Sequence, residues 1–176
     1  MEVTKHVNKN NSDHSILFEA INLAIQYEFH VPRQTRTETV KLLAKFIAVK
    51  EPNIRYLALE SLAKLKPIHL EADQSLIKDN LETFFSALKE KDISIRKRAL
   101  DTIFYLCNQE VAGEVVNELL DHLSENDYEL MEMMVLKIAI LAEKFAINLS
   151  WYIDVIIKLI EFAGDYVDEQ LWFRVA

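Results

Sequence analysis

The chain has 176 residues, of which two are Gly and three Pro, while 51% are apolar, 27% are charged and the formal net charge is −8. Tight turns in β-sandwiches and phosphate loops in nucleotide folds need glycines able to take positive φ, so the shortage argues against both and leaves long helices. The apolar fraction excludes a disordered chain, and charges interrupt every window of the roughly twenty residues that a bilayer span requires.

Residues 1–15 are polar and Asn-rich (Asn8, Asn10, Asn11), lack the apolar region of a signal peptide, and read as a disordered or expression-derived start. Ser15 is expected to cap a first helix carrying Ile16, Leu17, Ala20, Ile21, Ala24 and Ile25 and ending near Glu28. A second helix starts near Thr35 and turns Val40, Leu43, Ala44 and Ile47 inward. Pro52 suits the start of a third, with Ile54, Leu57, Ala58, Leu62 and Leu65, closed by Lys66-Pro67. The pattern continues with helices over about 72–89, from Asp92 or Ser94 to Cys107, 111–123, 128–145, 150–163 and from Val167 onward. No Gly/Ser-rich linker divides them, so residues 16–176 read as one domain.

Helices of this length with short connections suit a bundle or a solenoid, and internal repetition decides between them. Ile54-Arg55-x-x-Ala58-Leu59-Glu60-x-Leu62-x-x-Leu65 aligns with Ile95-Arg96-x-x-Ala99-Leu100-Asp101-x-Ile103-x-x-Leu106 at an offset of 41. The pattern returns at Leu130-Met131-x-x-Met134-Val135-x-x-Ile138-x-x-Leu141, 35 residues on, and again from Val167, 37 further. Two helices per period of this size indicate an all-α superhelix of HEAT or armadillo type, built from antiparallel hairpins. Leu171-Trp172-Phe173-Arg174-Val175-Ala176 carries no polar cap, from which a fragment continuing past Ala176 is expected.

The inventory for chemistry is thin. There is no Gly-rich phosphate loop, nucleophile elbow, His-Glu-x-x-His or cysteine pair, so no catalytic residue, cofactor or metal is expected. His69 with Asp73 is explained by a helix start, and pairs such as Glu114/Glu118 by solvated faces. Cys107, at the end of an apolar run, reads as a buried reduced thiol in a cytosolic setting. Charge is uneven: residues 1–98 hold 16 Lys and Arg against 13 Asp and Glu, and residues 99–176 hold 4 against 15. Such an acidic chain is a poor nucleic-acid binder, yet Lys89, Lys91, Lys97 and Arg98 form a local basic group able to meet anionic lipid or an acidic partner. Arg96 repeats Arg55, and an acid five residues on (Asp101, Glu60) suggests a structural ladder between repeats. Trp151, Tyr152, Phe162, Tyr166, Trp172 and Phe173 read as core beside Ile153, Ile156, Ile157 and Ile160, with a peptide-binding platform as the alternative.

Longer stretches carry a resemblance. Glu51-Pro-Asn-Ile-Arg-Tyr-Leu-Ala-Leu-Glu-Ser-Leu62 and Lys91-Asp-Ile-Ser-Ile-Arg-Lys-Arg-Ala-Leu100 resemble the trunk of adaptin large subunits. Met134-Val-Leu-Lys-Ile-Ala-Ile-Leu-Ala-Glu-Lys-Phe145, Trp151-Tyr-Ile-Asp-Val155, Ala163-Gly-Asp-Tyr-Val167 and Trp172-Phe-Arg-Val175 narrow the resemblance to the alpha-adaptin branch. It covers about residues 16–176, departing at Phe29–Thr35 and at Met131, where the family favours Arg. The resemblance implies a non-enzymatic solenoid segment of the plasma-membrane clathrin adaptor, joined to a second large, a medium and a small chain. It further implies peripheral association with phosphoinositide-containing membrane on the cytoplasmic face at coated pits, with clathrin and accessory proteins engaged through other regions. The family's lipid-binding lysines and appendage lie outside this stretch, so none of those residues transfers. The alternative is a stand-alone HEAT-type peptide-binding or transport receptor.

Overall fold

The computed structural model describes residues 11–27, 30–64, 78–123 and 128–164. Among them there are eight helices and no strand: α1 (Asn11–Gln26), α2 (Arg33–Ile47), α3 (Pro52–Ala63), α4 (Leu81–Leu88), α5 (Ile93–Leu106), α6 (Ala112–Leu123), α7 (Tyr128–Lys144) and α8 (Leu149–Ala163). The chain divides into two compact units, Met1–Thr102 and Ile103–Ala176, the division falling inside α5.

Helix starts follow local chemistry. Pro32 sits at the cap of α2 with φ −55° and ψ 145°, and Pro52 occupies the first turn of α3, where a missing N–H costs no hydrogen bond. Side-chain carbonyl or carboxylate oxygens close three other starts. Asp92 accepts from the Ser94 amide at 2.8 Å at α5, Asn108 from the Glu110 and Val111 amides at 3.0 and 3.2 Å at α6, and Asn148 from the Trp151 amide at 2.8 Å at α8.

In the first unit α2 and α3 form an antiparallel pair, with α1 against both and α4 against α2. Leu43, Phe46, Ala58, Leu59 and Leu62 are fully enclosed, and Phe18 stacks on Phe46 at 4.9 Å between ring centroids. Thr102, fully buried, directs its hydroxyl at Arg98 O (2.8 Å) and Leu59 O (3.0 Å), tying α5 to the middle of α3. The second unit pairs α6 with α7 and sets α8 against both.

The repeat register holds in the packing. Its four apolar positions are buried three times over: Ile54, Ala58, Leu59 and Leu62; Ile95, Ala99, Leu100 and Ile103; Leu130, Met134, Val135 and Ile138. An alanine at the second of these positions lets backbones approach, which is why the pattern repeats in α3 and α5.

Three expectations need correction. α1 begins at Asn11, so residues 11–15 are helical and Ser15 lies inside the helix instead of capping it. The helix expected over 72–89 is broken, because the chain turns at Asp79 and Asn80 before α4; Asp and Asn side chains compete for backbone partners and favour turns. Ile153, Ile157, Ile160 and Phe162, read as core, are 46–51% exposed. α6 and α7 reach only one side of α8, burying Val155, Leu159 and Ala163, and no described helix covers the other side. Residues 72–77, Lys66-Pro67 and the helix expected from Val167 lie outside the described residues.

No described residue has positive φ, so the two glycines are not required for backbone shape. A Cβ at Gly113 would meet Ile147 at 3.7 Å, an ordinary contact. Gly113→Ala should therefore stabilise the chain by about 0.5–1 kcal/mol, whereas Leu59→Ala should cost roughly 2–5 kcal/mol. Urea unfolding followed by circular dichroism checks both signs.

Candidate functional site

The basic group splits according to where its side chains go. Lys89 and Lys91, in the turn between α4 and α5, are exposed, whereas Lys97 and Arg98, in the first two turns of α5, are half-buried. Arg98 donates from Nε to the Tyr56 hydroxyl at 3.1 Å and lies over the Tyr56 ring, with Cζ 5.2 Å from its centroid. The hydrogen bond to Tyr56, ahead of the charges of Glu60 and Asp101, raises the Arg98 pKa against the opposing effect of burial. Arg98 is thus committed to the preceding repeat, through the residue 42 positions upstream.

The expected ladder takes a different form. Arg55 does not turn to Glu60; its Nε donates to Val49 O at 2.9 Å and its Nη1 pairs with the Glu90 carboxylate. Glu60 instead lies 3.6 Å from Lys64. One side chain on α3 therefore holds the turn before it (48–51) beside the turn before α5 (89–92). Arg96, the counterpart of Arg55, is half-buried on α5.

Lys50 was not singled out from sequence, yet it is exposed and stands 41 residues before Lys91. Extending the repeat alignment four residues upstream of Ile54 and Ile95 would have paired them. Tyr56 and Glu90 carried no such signal, because their partners are set by contact across repeats.

No group of three His, Cys, Asp or Glu side chains able to hold a metal occurs among the described residues. His122 is buried with Glu118 at 3.4 Å on α6, while the pair His69 and Asp73 lies outside the described residues. Of the six aromatics noted in the last third, Trp151 and Tyr152 are half-buried, Phe162 is exposed, and Tyr166, Trp172 and Phe173 lie outside the described residues. Cys107 is buried, and desolvation pushes its thiol up to about 12 despite the nearby Lys144. No described helix is long and apolar enough to cross a membrane.

These features define an all-helical chain whose first unit is built of hairpins joined by contacts between repeats. The adaptin N-terminal region model matches residues 1–176, and the chain belongs to that family. Over 174 residues, 99% of the chain, it is 45% identical to AP-2 complex subunit alpha-1 of Arabidopsis thaliana. It is 47% identical over 169 residues to AP-2 complex subunit alpha-2 of Dictyostelium discoideum, covering 96% of the chain. Identity falls to 30% over 169 residues, again 96% of the chain, for AP-1 complex subunit gamma-2 of Arabidopsis thaliana. The chain spans 17% of the length of both alpha relatives and 19% of the gamma relative.

Two outcomes test the local chemistry. A double-mutant cycle with Tyr56→Leu and Arg98→Met, which removes hydroxyl and ring together, should give a coupling of about 0.5–1 kcal/mol in urea unfolding, and zero coupling would remove the clamp. Cys107 should resist thiol reagents in the native state at neutral pH. With its folded pKa raised, the stability it contributes is present below about pH 9 and is lost as pH climbs toward 12. Cys107→Ala should flatten that alkaline loss in pH-dependent melting.

Proposed function

We propose that the chain is a non-catalytic scaffold segment of the alpha large subunit of a clathrin adaptor, acting in endocytosis and vesicle-mediated protein transport. The observation that carries this reading is 45% identity over 99% of the chain to an AP-2 alpha subunit, against 30% to an AP-1 gamma subunit. In this reading residues 16–176 are a segment of an adaptin trunk solenoid. Its work is geometric: hairpins hold partner-binding surfaces at fixed separations, each repeat stabilised chiefly by its neighbours.

The partners in this reading are a second large, a medium and a small adaptor chain, with clathrin and accessory proteins bound through other regions. Association with phosphoinositide-containing membrane is peripheral, on the cytoplasmic face of the plasma membrane at coated pits. The test is affinity purification of the full-length natural product from its own cells, followed by mass spectrometry. Recovery of three other adaptor chains and clathrin is expected. Recovery of transported proteins without any adaptor chain would overturn the reading in favour of a stand-alone transport receptor.

A further inference from the structure

We infer that the edge of the first unit formed by the turns at 48–51 and 89–92 is a docking surface for anionic phospholipid headgroups, carried by Lys50, Lys89 and Lys91. The inference rests on the membrane-associated role proposed above and names residues for it.

Arg55 makes the edge. By donating to Val49 O in one turn and pairing with Glu90 in the other, it holds the two turns side by side. Lys50 and Lys91 occupy the same place in successive repeats, and Lys89 lies two residues away, so three exposed ammonium groups share one edge. None of the three makes an ion pair among the described residues.

The acidic side chains between them offset part of that charge. Glu90 is neutralised by Arg55, and the Asp92 carboxylate accepts from the Ser94 amide as the cap of α5. Glu51 and Asp92 are both exposed and keep their charge, the amide hydrogen bond to Asp92 leaving it ionised, so they offset two of the three lysines. The edge keeps an excess of positive charge on a chain whose net charge is −8. Of the four cations singled out from sequence, Lys89 and Lys91 stay in the surface and Lys50 joins them, while the half-buried Lys97 and Arg98 on α5 leave it, Arg98 with its guanidinium held by Tyr56.

The side-chain types favour a lipid plane over an acidic peptide. Planar, bidentate recognition of a defined carboxylate is the strength of arginine, and here Arg55 and Arg98 are committed inside the protein. What remains is a row of flexible point charges on the tips of two turns, suited to a diffuse sheet of phosphates. Each lysine near an anionic bilayer contributes about 1 kcal/mol, a factor of roughly five in affinity.

The test is co-sedimentation of the 176-residue chain with phosphatidylcholine vesicles, with and without a minority of phosphatidylserine. Binding only to the mixed vesicles, at low salt and weakened by high salt, is expected. The triple variant Lys50→Glu, Lys89→Glu, Lys91→Glu should lose well over the roughly 100-fold that removing three lysines costs, because each site also gains a repelled negative charge. A control with the same charge change elsewhere (Lys41→Glu, Lys64→Glu, Lys158→Glu) should lose far less. The corresponding triple Lys→Gln variant, with native circular dichroism, guards against a folding defect and should lose roughly fivefold per lysine. Equal loss in both Glu triples, no binding at low salt, or binding to immobilised polyglutamate and not to vesicles would each overturn the inference. Co-purification of adaptor chains with the triple variant separates failure of this surface from failure of the scaffold reading.

Discussion

A helical hairpin of this kind cannot bury its own apolar faces, and everything else in the fold depends on that deficit. The pair α2 and α3 encloses Leu43, Phe46 and Leu59 only because α1 and α4 lie against it, and α5 reaches α3 through Thr102. Where a neighbour is present, burial is complete, as at Ala58 and Ala99. Where no described helix lies against an apolar face, as on one side of α8, large aliphatic side chains stay half exposed. Stability in such an array is a sum of hairpins and the interfaces between them, and the interface contribution is what residues such as Thr102 and Ala99 supply.

Polar contacts between repeats add direction to that packing. Hydrophobic burial is indifferent to small shifts along a helix, whereas a hydroxyl aimed at Leu59 O and a guanidinium shared between Val49 O and Glu90 accept only one register. Arg98 on Tyr56 ties the same pair of repeats again. Thr102 and Arg98 meet α3 at Leu59 and Tyr56, about one turn apart, which resists sliding of α5 along it, while Arg55 holds the turn before α5.

Much of this was readable in the sequence. The 41-residue offset placed Ile54 with Ile95 and Ala58 with Ala99, and the buried set follows that alignment position by position. Pro52 and Asp92 marked helix starts because their chemistry is local. What could not be read depends on contact across repeats. Glu90 as the partner of Arg55, and Tyr56 as the seat of Arg98, lie 35 and 42 residues from their partners and obey no periodicity. Asn108 and Asn148 escaped notice because an Asn before an apolar run is common in loops as well as caps. The exposure of α8 was misjudged because an apolar helix is buried only if something lies against every apolar side. The candidate surface was half legible: Lys89 and Lys91 stood out as a local cluster, whereas Lys50 joins them only once the turns are seen side by side.

The flank of α8 that no described helix covers also bears on how such a chain is made. A polypeptide that stacks hairpins in order of synthesis closes each apolar flank with the helix that emerges next, so a nascent array shows one such flank at its growing end. Leu149, Ile153, Ile157 and Ile160 are the residues that would be presented to a chaperone at that moment. A pause in translation just after them would lengthen the exposure, and a stop codon there would make it permanent, turning a passing stage of folding into a standing risk of aggregation.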